Sequence, residues 1–333
     1  MNILGIDTSC DDTSAAVVCD SGSILSSIVS SQTDIHKRYG GIVPELASRR
    51  HIEMIWPVVD EALGTANVSL EAVHAVAVCH GPGLIGSLLV GCGFAKAVSY
   101  ARNIPLVGVN HLEGHIFSAF LEQEKSEFPF LSLIASGGHT SLYIVRNFGQ
   151  YEELGRTRDD AAGEAYDKVS KLLGLGYPGG PLIDRMARDG NAEAFDFPRA
   201  YMHESFDFSF SGLKTAVKLT AEKNAGLLGN NGFLADIAAS FQSAVVDVLA
   251  RKVQWAIVKT GILNVALSGG VSANSGLRKK IKEMAGENGA KVFLPSLDLC
   301  TDNAAMIASA GYHRYVSGDI AKLDLNPKAY LPL

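Results

Sequence analysis

A strand, a tight turn of small and polar residues and a second strand occur twice in this chain, and that repetition limits sharply what it can fold into. The first copy runs Ile3-Leu4-Gly5-Ile6-Asp7-Thr8-Ser9-Cys10-Asp11-Asp12-Thr13-Ser14-Ala15-Ala16-Val17-Val18. The second runs Leu131-Ser132-Leu133-Ile134-Ala135-Ser136-Gly137-Gly138-His139-Thr140-Ser141-Leu142-Tyr143-Ile144-Val145. Each is followed by another turn, Asp20 to Ser23 and Asn147 to Gln150, and by a third strand. Strands then alternate with helical patterns after both copies, so the chain reads as α/β with duplicated lobes. Small residues at such a turn let backbone N–H groups approach a phosphate with no side chain in the way. Two such hairpins facing each other across a cleft would hold a nucleotide's phosphates from both sides.

The 333 residues suffice for two domains with separate cores. The polar stretch between about Leu121 and Pro129 marks the boundary. The expected lobes are 1–125 and 126–333, the second with a helical insertion at about 155–235. No apolar run reaches the ~20 residues a membrane helix needs, because Gly, Ser and Lys96 interrupt the best candidate, Leu84 to Val98. The chain opens directly into a strand, with no basic region or cleavage site of a secretory signal. Cys10, Cys19, Cys79, Cys92 and Cys300 are scattered without a C-x-x-C pair, which reads as reduced thiols of a cytoplasmic protein. A net charge of -6 argues against a broad nucleic-acid face. The local basic clusters Arg49-Arg50-His51, Arg156 with Arg158, and Arg278-Lys279-Lys280 with Lys282 read as solvated helix faces.

Residues 110–115, Asn-His-Leu-Glu-Gly-His, read as a helix start directly after a strand, with Asn110 as N-cap and Glu113 completing a capping box. His111 and His115 then stand four apart on one helical face at the carboxyl end of a strand, where α/β proteins bind ligands. Two neutral imidazoles so placed can share a metal ion. Asp302 is the best third donor, at the start of a small-residue helix that it would cap; an ordinary N-cap is the plainer alternative. Two His and one Asp with open positions suit Fe(II) best among the common metals, with zinc or manganese possible. The zinc-protease motif needs Glu directly after the first His, whereas Leu112 stands there and Glu113 is turned about 100° away.

Leu263 to Asn274 reads as a strand, a Gly269-Gly270 turn and a helix start, with the Asn274 amide free for a purine or ribose. Asp167, on a helix opening near the turn, and Asp184, after the rigid Gly176 to Pro181 turn, could accept hydrogen bonds from ribose hydroxyls. Ordinary surface carboxylates are the simpler reading of each.

Together these residues resemble the actin, Hsp70 and sugar-kinase fold, in which two RNase H-like lobes clasp a nucleotide. The closer resemblance is to the TsaD family. It rests on Gly5 to Asp11, Ser48-Arg49-Arg50-His51, His111 to His115, Ser136 to Thr140, Gly176 to Pro181, Ser268 to Asn274 and Asp302-Asn303, which follow in that family's order and approximate spacing over nearly the whole chain. The resemblance implies transfer of a threonylcarbamoyl group from threonylcarbamoyl-AMP to N6 of the adenosine beside the anticodon in tRNAs reading ANN codons. Carried over by position, it implies metal ligands His111, His115 and Asp302. It also implies substrate contacts at Ile134, Ala135, Ser136, Gly137, Gly138, Asp167, Gly180, Asp184 and Asn274. A TsaB-type paralogue and a TsaE-type ATPase are the implied partners, besides tRNA.

The donor is an activated mixed anhydride, so no protein nucleophile is needed; the amine must be positioned and its proton removed. Asp11, in the first turn, is the expected base, against the plainer role of a turn-forming carboxylate. Three other functions fit parts of the pattern: a small-molecule kinase of the same fold, a nucleotide-gated scaffold, and a metalloprotease. The kinase and the scaffold have no use for the histidine pair.

Overall fold

The computed structural model describes all residues except 21, 123–125 and 203–204, so the expected Asp20–Ser23 turn and the 121–129 linker lie partly outside the described residues. Strands are β1 (Asn2–Asp7), β2 (Asp12–Cys19), β3 (Ser23–Ser31), β4 (Val73–Gly81), β5 (Leu106–Asn110), β6 (Phe130–Ala135), β7 (Thr140–Asn147), β8 (Gln150–Arg156), β9 (Asn264–Ser268) and β10 (Lys291–Phe293). Helices are α1 (Thr33–Lys37), α2 (Pro44–Ala66), α3 (Ile85–Arg102), α4 (His111–Phe117), α5 (Ala162–Leu172), α6 (Gly179–Ala187), α7 (Ser211–Lys223), α8 (Asn231–Thr260), α9 (Ser275–Glu287), α10 (Leu297–Cys300) and α11 (Ala304–Val316).

The two sheets share one topology. The first has the order β3-β2-β1-β4-β5 and the second β10-β9-β6-β7-β8, its mirror in listing and its equal in connectivity. In each, three antiparallel strands come first and two parallel strands extend the far side of the first strand. The hairpin registers also match, closing at Asp7↔Ser14 in one and Ala135↔Thr140 in the other. This is the RNase H-like sheet twice over, as the duplicated hairpins predict. Strands β1, β4 and β6 read as near-continuous apolar runs because helices cover both of their faces. Strand β3, at an edge, alternates and stays largely exposed.

Two compact units emerge: residues 1–125 with 295–333, and residues 126–294. The segment from Pro295 onward therefore belongs with the first unit, not with the second, where a single cut at 125/126 would leave it. The reason is small-residue packing. Helix α11 carries Ala304, Ala305, Ala308, Ala310 and Gly311, all buried, and lies directly on β1. A Cβ on Gly5 would stand 2.8 Å from the Ala308 Cβ and collide with the Ala304 carbonyl, so only glycine admits this approach. That seating delivers Asp302, two residues before α11, to the end of β5.

Among the described residues, α8 is long and apolar enough to cross a membrane, unlike the Leu84–Val98 stretch, but it lies mostly buried within the second unit. It is a core helix: Phe241, Val245, Leu249 and Val253 on it pack with Tyr166, Val169, Leu133 and Leu267.

Candidate functional site

Each unit gathers its own set of polar side chains at the carboxyl ends of its central strands. In the first unit, Asn110 is the N-cap of α4, its Oδ1 accepting from Leu112 N at 2.8 Å. Its Nδ2 donates to the carbonyls of Leu331 and Pro332 at 3.1 and 3.3 Å, which ties the carboxy-terminal strap to the helix that carries both histidines. Glu113 does not complete a capping box; its Oε2 accepts from Arg314 Nε at 2.6 Å instead. The cap of α11 is Asn303, which accepts from Met306 N at 3.0 Å, and not Asp302. Asp302 is thereby left free to face the histidines.

The Oδ1 of Asp302 lies 3.5 Å from His111 Nε2 and 3.3 Å from His115 Nε2. The two rings are 4.7 Å apart and steeply inclined. Both ring nitrogens of the fully buried His115 lack a well-formed hydrogen bond. A buried imidazole with unspent nitrogens, converging with a second imidazole and a carboxylate within 4.8 Å, fits a divalent cation. Burial depresses the pKa of His115. Burial would depress His111 too, but the Asp302 charge and the hydrogen bonds of Asp302, Asp7 and Cys79 outweigh it and hold His111 well above the ordinary range. Burial opposes ionisation of Asp302, yet the His111 charge and the close approach of both imidazoles keep its carboxyl well below the ordinary range.

Behind His111, Asp7 Oδ2 lies 3.4 Å from Nδ1, and the buried Cys79 thiol stands in the same group. Asp7 is itself held by Ser9 N, which donates to Oδ1 at 2.9 Å. A carboxylate on the far nitrogen fixes the tautomer that turns Nε2 toward a cation. The first turn is braced further by His51, whose Nδ1 accepts from Thr13 Oγ1 at 2.8 Å while Nε2 donates to the Cys10 carbonyl at 3.1 Å. Burial lowers the His51 pKa, which keeps the ring neutral for both roles. Burial also raises the Asp11 carboxyl, opposed by its Cys10 hydrogen bond and reinforced by the Asp302 charge.

The second unit builds a different site. The Ser136-Gly137-Gly138 turn is exposed at both glycines, with nothing within 4 Å of where a Cβ would stand on either. Beneath it, a Cβ on Gly163 would stand 2.6 Å from the Ser136 carbonyl, and one on Gly269 would meet the Ala135 carbonyl, so the start of α5 and the exit of β9 close under the turn. Ile134 and Ala135 are buried at 0% and 1% exposure, so only their backbone can serve a ligand. Asp167 Oδ1 accepts from Gly179 N at 2.7 Å and thereby holds the first turn of α6, which begins at Gly179-Gly180. Asp184, on α6, accepts at Oδ1 from Ser275 Oγ at 2.7 Å. Asn274 caps α9 by accepting from Leu277 N at 2.9 Å.

Thus His111, His115 and Asp302 come together in the first unit, with Asp11 in the turn beside them. Residues 134–138, Asp167, Gly180, Asp184 and Asn274 lie around one end of the second sheet. Sequence reasoning missed Asp7, Cys79, Tyr166, Gln242 and Ser275, whose roles come from neighbours distant in sequence. Asp7 alone carried a local signal, as the last residue of an otherwise apolar strand. Of the basic clusters, Arg49 and Arg50 pair with Glu45 and Glu53 on the face of α2, and Lys279 and Lys280 approach Glu283 and Asp247 from α9. Arg156 ends β8 and Arg158 follows it, so that pair is not on a helix; Arg158 binds Asp207 at 2.6 Å.

Comparison with known proteins gives a consistent picture. The family model for TsaD, tRNA N6-adenosine threonylcarbamoyltransferase, matches residues 23–309. A tRNA N6-adenosine threonylcarbamoyltransferase of Thermodesulfovibrio yellowstonii is 60% identical, with 100% of both chains covered. One from Syntrophotalea carbinolica is 52% identical, with 100% of this chain and 97% of that one covered. Among solved structures, HypF of T. kodakarensis aligns with a TM-score of 0.63 at 16% identity, over 97% of this chain and 49% of that one. Component A of the Acidaminococcus fermentans (R)-2-hydroxyglutaryl-CoA dehydratase aligns with a TM-score of 0.55 at 14% identity, over 96% and 99%. At these identities the structural likeness concerns the fold.

Proposed function

The chain belongs to the TsaD family of tRNA N6-adenosine threonylcarbamoyltransferases, and on that premise we propose how its two sites divide the reaction. The enzyme transfers a threonylcarbamoyl group to N6 of an adenosine in tRNA. The donor is threonylcarbamoyl-AMP, and the acceptor is the adenosine beside the anticodon in tRNAs reading ANN codons. The observation that carries the assignment of roles is the buried convergence of His111, His115 and Asp302, which a kinase or scaffold of this fold has no use for.

The open Gly137-Gly138 turn offers backbone N–H groups to the donor's phosphate, with Ile134, Ala135 and Ser136 contributing their main chain. Asp167, Gly180, Asp184 and Asn274 hold the nucleoside. His111, His115 and Asp302 hold one divalent cation, Fe(II) by donor set, with zinc or manganese as the alternatives. When bound, such a cation supplies Lewis-acid polarisation of a carbonyl oxygen. The N6 amine attacks the carbamoyl carbon, a C–N bond forms, the C–O bond to the phosphate breaks, and AMP leaves with the bonding pair. Asp11 takes the N6 proton; its raised pKa, set by burial, makes it a stronger base than an ordinary aspartate.

The protein works in the cytoplasm with a TsaB-type paralogue and a TsaE-type ATPase. Ile52 and Trp56 on α2 and Ile85 and Leu89 on α3 stand exposed on two adjacent helices, and this apolar face supports a helical docking partner. The test supplies the chain, both partners, unmodified tRNA and threonylcarbamoyl-AMP, and reads digested tRNA by mass spectrometry. Threonylcarbamoyl-adenosine should form with the wild type and vanish with His111→Ala. Absence of the modified nucleoside with the wild type, or its undiminished formation with His111→Ala, would overturn the assignment of roles.

A further inference from the structure

Gln242 lies on α8, 9% exposed, in neither the turn nor any motif of the second unit. Its Nε2 donates to Asp184 Oδ1 at 3.1 Å, and its Oε1 accepts from Asn274 Nδ2 at 2.7 Å. The direction of the amide follows from its partners: reversed, it would set oxygen against a carboxylate and N–H against N–H. Asp184 and Asn274 stand on α6 and before α9, and this one side chain spans them. The group is also held by Ser275 on Asp184 Oδ1, Leu277 N at 2.9 Å on Asn274 Oδ1, Arg188 at 3.4 Å from Asp184 Oδ2, and Tyr166 OH at 3.4 Å from Asn274 Nδ2. An independent observation concerns Gly276. A Cβ there would stand 3.1 Å from Gln242 Nε2 and 3.3 Å from Asn274 Oδ1, so the missing side chain leaves room for this amide.

We propose that Gln242 is a positioning residue for the adenylate donor: it holds the Asp184 acceptor and the Asn274 amide at one spacing, so that the ribose meets both together. The inference rests on the reading of Asp184 and Asn274 as substrate contacts. A buried amide with both ends satisfied loses nothing when substrate arrives, and the two side chains need not be ordered at that moment. Loss of the bridge should therefore weaken nucleotide binding and raise KM for the donor while leaving kcat nearly unchanged.

The test measures AMP binding by calorimetry on the full chain, with Asp184→Ala and Asn274→Ala as references. Gln242→Met, of similar length and without hydrogen bonds, should bind AMP about tenfold more weakly. Its metal affinity, read separately by chelator competition, should match the wild type. Gly276→Ala, which sets one methyl 3.1 Å from Gln242 Nε2, should weaken AMP in the same direction. Gln242→Glu should bind poorly at pH 8, where two carboxylates face each other. It should recover toward pH 5.5 as the pair takes up a proton and the Glu hydroxyl replaces the amide donor. Unchanged AMP affinity in Gln242→Met, with both references weakened, overturns the proposal and leaves the reading of the site intact. Unchanged affinity in all three overturns both. Parallel loss of AMP and metal binding would mean general destabilisation and also overturns it.

Discussion

The two hairpin turns repeat one pattern of strands and register and differ in what surrounds them. In the first unit the turn is buried: Thr8 and Ser9 are 0% and 3% exposed, and Thr8 Oγ1 donates to the Ser87 carbonyl at 2.8 Å. Carboxylates stand at Asp7, Asp11 and Asp12, and His111 faces Asp7. In the second unit the turn is two exposed glycines over a floor of backbone. Converging carboxylates and imidazoles suit a cation, and bare N–H groups suit an anion. The same strands thus present opposite chemistry according to what fills a few turn positions and what the neighbouring helices bring.

The largest effect that tests this division is removal of the donor the first unit imports. Asp302→Ala should lose bound metal, read by elemental analysis, and lower transfer by at least about a hundredfold. Retention of stoichiometric metal would break the assignment. Next comes the support behind His111. Asp7→Asn should keep the fold and weaken metal affinity about 10–100-fold in chelator competition, with AMP binding in the second unit unchanged. A matched pair then sharpens the contrast between the turns. Gly137→Val should leave thermal stability within about 0.5 kcal/mol, since the added Cβ meets open space, while AMP binding falls roughly tenfold. Thr8→Val should do the reverse, costing about 1 kcal/mol in denaturant unfolding by removing a buried hydroxyl bond to the Ser87 carbonyl and leaving AMP affinity alone. If the two valines acted alike, the turns would not be specialised.

A last test concerns Asp12, whose effect appears only above about pH 4. Burial pushes its carboxyl up to about 7, against a Ser31 hydrogen bond that lowers it, and Oδ1 makes no hydrogen bond. A carboxyl whose pKa is raised on folding stabilises the native state fully at low pH and loses that contribution as pH rises toward the folded value. Asp12→Asn cannot ionise. It should match the wild type near pH 4 and be more stable by about 1–3 kcal/mol above pH 7, with the difference opening between those limits. Parallel stability profiles across that range would rule this out.

Periodicity and turn chemistry are local, and they determined much by themselves. Apolar runs set the central strands of both sheets, the His111/His115 spacing put two imidazoles on one helical face, and Asn110 capped that helix as its type predicts. The repeated hairpin announced the duplicated fold. What tertiary structure decided was everything that depends on residues distant in sequence. Asp302 reaches the histidines because glycine and alanine let α11 lie on β1, and because Asn303 takes the cap. Asp7 turns from a strand end into an orienting group only once β5 places His111 beside it. Gln242 showed no motif at all, being one polar residue in an apolar helix. Its meaning arises where α6, α8 and α9 meet, because a buried amide takes its partners from whatever the packing brings within 3 Å.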